Sequence, residues 1–126
     1  MRLFFVSGTT SANIASSTEI EIDMQTEGYL YPLEILRIMV RHVGGNTSGH
    51  FHFKLGDKAG FVDNSINQMF QDGTVNKSDL MDIVLNTSTT KSSFCKTSSN
   101  GKMYIRFEPS SGTDNQFQYL IFFRRL

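Results

Sequence analysis

The sequence predicts an all-β protein: a single antiparallel β-sandwich or jelly roll over residues 1–126, with one short helix. Three observations carry this. Most apolar segments alternate with a period of two, as half-buried strands do. The runs are separated by loops rich in Gly, Ser, Thr and Asn, the residues that populate turns. Ser and Thr together make up about a fifth of the chain while charged residues are only 19%, a composition that suits strands and the turns joining them.

Each element follows from its own pattern. Phe4, Phe5 and Val6 predict a short opening strand. In STEIEIDM, Ile20, Ile22 and Met24 share one face and Glu19, Glu21 and Asp23 the other. PLEILRIMVRHV fits a helix through Leu33, Leu36, Val40 and Val43, or a strand that sets Leu36, Ile38 and Val40 against Arg37, Met39 and Arg41. The strand is favoured, because Ile and Val are stiff at χ1 and the GGNTSG loop leads straight into another strand. Pro32 then stands at the strand entrance, where a missing donor costs least. In GHFHFKL, Phe51, Phe53 and Leu55 point inward and His50, His52 and Lys54 outward.

The segment VDNSINQMFQDG has helical spacing. Asp63 or Asn64 can cap it, Ile66, Met69 and Phe70 form a stripe, and Gly73 is placed to end it. SDLMDIVLN fits a second helical turn or a strand, and Ile83, Val84 and Leu85 favour the strand. In KMYIRFE, Met103, Ile105 and Phe107 oppose Tyr104, Arg106 and Glu108. The last strand, FQYLIFFRR, places Phe117, Tyr119, Ile121 and Phe123 on one face, yet Leu120 and Phe122 make the other face apolar too. A sandwich strand needs only one face for its own core. The second apolar face must be covered by a loop, a helix or another subunit, and Leu120 and Phe122 are therefore candidate interface residues.

Composition narrows the function classes. Twelve basic residues balance twelve acidic ones, so the charge gives no argument for nucleic acid or an anionic membrane. One cysteine, Cys95, excludes an internal disulfide framework and a cysteine zinc cluster. The apolar run LFFV is too short for a signal-peptide core, and no stretch approaches the roughly 18 apolar residues of a membrane span. The expectation is a soluble protein assembled in a reducing cytosol. The Asn-x-Ser/Thr sites at Asn46, Asn76 and Asn86 are those a chain this rich in Ser and Thr contains by chance.

Candidate chemistry centres on the histidines. His50 and His52 project to one face of a strand, and with Gly44 and Asp57 they fall near the first metal-binding motif of cupin-type barrels. Two imidazoles and a carboxylate can hold iron or zinc. However, an Asp stands where a Glu is usual, no histidine follows position 52, and the second, glycine-rich motif is absent. The alternation of GHFHFKL explains the same histidines as the polar face of a strand. No catalytic residue, cofactor or metal is therefore expected, with His50, His52 and Asp57 as the alternative metal set. Cys95 beside Lys96 has no sequence-local base, and a small residue packed next to Phe94 explains it. The row Glu19, Glu21 and Asp23 lacks the tight turn of a calcium loop and reads as a solvated strand face. A carbohydrate-binding module is a further alternative. With no Trp in the chain, Tyr29, Tyr31 and Tyr104 would have to serve as its sugar platform.

The C-terminal stretch NGKMYIRFEPSSGTDNQFQYLIFFRRL, a strand, a Ser/Gly/Asp/Asn loop and a returning aromatic strand, resembles the closing hairpin of small β-sandwich proteins from tailed-phage particles. ILRIMVRHVGGNTSGHFHFKLGD is similar in style to their other hairpins. These families include capsid decoration or cement proteins, head fibres and tail accessory proteins. The resemblance supplies no functional residue. It implies a non-enzymatic virion component that forms symmetric oligomers, often trimers, and docks on capsid or tail subunits, with assembly in the host cytoplasm; the balanced charge and the lack of an apolar span add the expectation of no nucleic-acid or membrane partner. The neutral, hydroxyl-rich surface offers little charge repulsion to such packing.

Overall fold

A computed structural model of the protein describes residues 3–24, 32–45, 47–71, 74–85 and 95–125. These residues form nine strands: β1 (Leu3–Thr9), β2 (Thr18–Asp23), β3 (Leu33–His42), β4 (His50–Gly56), β5 (Gln68–Gln71), β6 (Val75–Asn76), β7 (Leu80–Val84), β8 (Lys102–Pro109) and β9 (Phe117–Arg125). The first sheet has the order β1-β9-β3-β7, and the second β2-β8-β4-β5 with β6 on the same β4 edge as β5. Every pairing is antiparallel. With β5 and β6 taken as one broken strand, the chain changes sheet at every connection except that from β4 to β5, and the two four-stranded sheets have jelly-roll order. The all-β sandwich expected from the sequence is the fold.

Alternation builds the core. Ile22, Met24, Phe51, Phe53, Leu55, Met103, Ile105 and Phe107 of the second sheet are buried against Ile35, Ile38, Val40, Phe117, Ile121 and Phe123 of the first. At the centre, the ring of Phe117 stacks on Phe107 with centroids 4.6 Å apart and planes 7° from parallel. Phe51 meets Phe117 edge-on at 5.0 Å. Gly8 belongs to this packing, because the ring and hydroxyl of Tyr119 occupy the space where a β-carbon would stand.

The structure corrects two details. The face of β3 changes parity, since Leu33 and Ile35 are buried at one end and Ile38, Val40 and His42 at the other. A bulge between Ile35 and Arg37 inserts Leu36 as the extra residue, and its carbonyl accepts from the Leu85 amide at 2.8 Å. Ile35, not Leu36, is thus the inward residue. The expected helix in 63–73 does not form. Residues 63–67 make turns and Gln68–Gln71 is β5. Asn64 has a positive φ of 60°, the Ser65 hydroxyl donates to the Val62 carbonyl at 2.6 Å, and Gln68 turns its side chain back to the Asn64 amide. These local bonds compete with a helical ladder, while pairing of Phe70 with Leu55 draws Met69 into the core. Ile66, assigned to the helix stripe, points to solvent. Gly73 lies outside the described residues. No helix of the described chain is long and apolar enough to cross a membrane.

Candidate functional site

The site is the outer face of the first sheet, built by the residues that alternate with the core set. Register places them in rows across the strands. Phe5 of β1 pairs with Phe122 of β9, which pairs with Arg37 of β3, which pairs with Val84 of β7. One row on, Ser7, Leu120, Met39 and Asp82 align in the same way. Leu120 and Phe122 share this face, as the alternation in FQYLIFFRR requires, and both are half-buried. Their apolar surface continues outward to Leu3, Phe5 and Val84, which are 56%, 67% and 56% exposed. The Phe5 ring leans on Phe122 with centroids 6.4 Å apart.

Ion pairs frame this surface. Arg37 donates to both carboxylate oxygens of Asp82, at 2.8 and 2.5 Å. Those bonds hold the Asp82 carboxyl below its usual range and the Arg37 guanidinium above its own. Arg124 grips the buried carboxylate of Glu34 at 2.8 and 3.0 Å, which raises the guanidinium similarly. Between these pairs, Leu3, Leu36, Val84, Leu85 and Phe122 line an open groove of about 660 Å³. A second hollow of about 360 Å³ lies beyond Leu120, beside Met39 and Arg41. Such a surface binds by excluding water from apolar side chains, with charged pairs at its margin to set orientation.

On the outer face of the second sheet, one row is instead covered from within the chain. Glu19 of β2, Arg106 of β8 and Lys54 of β4 form one row. Loop 57–67 folds over it, with Phe61 buried above Gly56, where no β-carbon could fit beneath its ring. Arg106 lies 3.9 Å from the Phe61 ring centroid and donates to the Phe61 carbonyl. Lys54 is buried between Asp63 and Glu108, each at 2.8 Å. Burial opposes its charge, but the bonds and charges of the two carboxylates prevail and raise the ammonium above its ordinary value. Lys54 does face outward, as expected, yet under this loop rather than into water.

The other candidates sit apart from one another. The rings of His50 and His52 meet edge-to-face at 5.6 Å on the second sheet's outer side. Asp57 lies five residues beyond His52, about 17 Å along an extended strand, and its amide donates to the Asn67 carbonyl at 3.0 Å. Among the described residues, no three His, Cys, Asp or Glu side chains are grouped to hold a metal. His42 ends β3 inside the sandwich, with Nε2 2.9 Å from Asn115 Oδ1. Asn115 Nδ2 donates to the Ile14 carbonyl, so its oxygen is the accepting atom and Nε2 the donor. Cys95 is buried, its thiol 3.5 Å from the Met69 carbonyl. Glu19 and Glu21 pair with Arg106 and Lys102. Tyr104 bonds Glu21 at 3.3 Å, and burial followed by the Glu21 charge raises its phenol. Tyr29, Tyr31, Asn46, Asn86 and Phe94 lie outside the described residues.

Sequence reasoning missed the breadth of the apolar face. Leu3, Phe5, Leu36 and Val84 extend it well past Leu120 and Phe122. The signal lies in LFFV, where Leu3 and Phe5 alternate with Phe4 and Val6, a two-faced pattern like that of the last strand. No family model matches the chain, and no curated protein matches it either.

Proposed function

We propose that the protein is a non-enzymatic structural module that assembles with itself, using the outer face of the first sheet as its interface. The observation that carries this reading is an apolar surface spread over four strands, with Phe5 67% and Val84 56% exposed beside Leu120 and Phe122. Soluble monomers rarely leave such surface contiguous and uncovered. The jelly-roll order does not choose among functions, because capsid proteins, lectins and cupins all use it. The resemblance of the closing hairpin to phage particle proteins extends the proposal. The module is a virion component of decoration or accessory type, assembled in the host cytoplasm, which docks on capsid or tail subunits and forms an oligomer, with a trimer as the first expectation.

Light scattering at micromolar concentration tests the self-association. The wild type is expected to scatter as an oligomer, and Leu120→Asp/Phe122→Asp to shift it toward the single chain without loss of the β spectrum. A wild-type monomer whose double variant unfolds would assign both residues to intramolecular packing and end this reading.

A further inference from the structure

We propose that Lys77 and Asn115 join in an intramolecular isopeptide bond, which the chain forms by itself with loss of ammonia. This does not depend on self-association. As a single event within one chain, it is also distinct from enzymatic turnover.

The side chain of Lys77 is buried to an unusual degree. It is 1% exposed, whereas lysine is almost never fully buried unless paired. Among the described residues its amine meets no carboxylate, and Nζ donates to the Ser111 carbonyl at 2.8 Å. Asp79, two residues on, turns its carboxylate toward Asn76 instead. A buried cation facing only a neutral acceptor is costly, and conversion to an amide removes the charge altogether.

An electrophile stands beside it. Asn115 is 0% exposed and donates through Nδ2 to the same Ser111 carbonyl at 3.1 Å. Two donors on one oxygen at these distances are no more than about 6 Å apart. The flexible stem of a lysine can close such a gap.

The other groups around Asn115 match what acyl transfer needs. His42 Nε2 donates to Asn115 Oδ1 at 2.9 Å, the atom on which negative charge develops when an amine attacks Cγ. A fixed donor in a buried site stabilises that charge. Nδ2, the leaving nitrogen, has the carbonyls of Ile14, Ser111 and Gly112 at 2.8, 3.1 and 3.3 Å to accept hydrogens from departing ammonia. The ring of Phe117 meets His42 edge-on at 5.3 Å and helps keep out the water that would otherwise compete with the amine.

The step balances without a co-reactant. Lys77 Nζ attacks as the neutral amine, forming the Nζ–Cγ bond, and a proton passes from Nζ to Nδ2. The Cγ–Nδ2 bond breaks, and its electron pair leaves with ammonia, which takes up the proton lost from the lysine ammonium. Nothing is oxidised or reduced.

Position gives the bond a use. Lys77 follows β6 at an edge of the second sheet, and Asn115 precedes β9 in the first. The bond closes the chain from 77 to 115 and ties the two sheets together at one end. It does the work of a disulfide in a chain whose one cysteine has no internal partner.

Mass spectrometry of the full chain tests this, on folded protein held until its mass no longer changes. With Met1 processing allowed for, the wild type is expected to fall below its sequence mass by one ammonia. Protease digestion is expected to release a branched peptide containing both Lys77 and Asn115. Lys77→Arg, which keeps a cation for the Ser111 carbonyl but lacks the amine, is expected to retain the full sequence mass. A wild type of full sequence mass, with the two residues in separate peptides, would overturn the proposal. Ammonia loss that persists in Lys77→Arg would place it at another asparagine or glutamine and overturn it also. If Lys77→Arg fails to fold, the wild-type digest decides alone.

Discussion

On the outer side of β8, Arg106 lies between Glu19 and Lys54 beneath the ring of Phe61. On the outer side of β9, Phe122 lies between Arg37 and a Phe5 ring that is 67% exposed. Both strands are central in their sheets and both bury their inner residues in the same core, so the fold treats them alike. Their outer residues differ in what completes them. The charged row of the second sheet is satisfied within the chain, by loop 57–67 and by carboxylates facing cations across strands. In the row of the first sheet, Asp82 answers the charge of Arg37, while Phe5, Phe122 and Val84 leave apolar surface in contact with water. The first arrangement completes its bonds within the chain, and the second is the face on which the proposed assembly rests.

The largest expected effect comes from the core the two faces share. Phe53→Ala or Phe107→Ala removes a fully buried ring from the core's aromatic cluster, where Phe107 lies between Phe53 and Phe117, and is expected to cost about 3–5 kcal/mol in urea unfolding. His52→Ala, on the opposite side of the same strand, is expected to cost about 0.5 kcal/mol or less. Equal losses would mean that the outer side of β4 is packed as tightly as the inner, which would erase the distinction between the layers.

Much of that layering was legible in the residues themselves. The alternation of Phe51, Phe53 and Leu55 with His50, His52 and Lys54 assigned the β4 faces correctly, because period two is a property of the strand alone. Leu36 was misassigned because a bulge obeys the partner strands rather than the local pattern. The segment around Ile66 predicts a helix because Ile66, Met69 and Phe70 share helical spacing. Asn64, a capping candidate alongside Asp63, instead joins Ser65 in a turn whose bonds the sequence does not announce. The burial of Lys54 depends on Asp63 and Glu108, nine and 54 residues away, and no spacing rule joins them. Leu120 and Phe122 could be read as interface candidates because they break an alternation. The width of their patch could not, since it requires knowing that β1, β3 and β7 are their neighbours.

A smaller effect probes the covered row. Lys54→Met deprives Asp63 and Glu108 of their shared cation and is expected to cost about 1–2 kcal/mol, between the values of a surface pair and a buried one. It should also hasten proteolytic nicking within 57–67. The wild-type Lys54 is raised above the ordinary lysine value of 10.5, so the folded state holds this proton more tightly than the unfolded chain does. Its stabilisation is complete below pH 10.5 and is lost as pH rises through the folded value. The urea midpoint should therefore decline above pH 10.5 in the wild type and decline less in Lys54→Met. Identical alkaline slopes would detach the loop from this ion pair.

The open face is tested most directly by hydroxyl-radical labelling of Phe5 in the wild-type protein across a dilution series, with Phe53 and Phe61 as internal references. If the outer face of the first sheet is an interface, Phe5 is labelled in dilute solution and becomes protected as concentration rises into the micromolar range. Phe53, in the core, and Phe61, buried in loop 57–67 against Arg106, stay protected throughout. Phe5 labelling that is the same at every concentration would contradict the claim that this face is where the chain assembles.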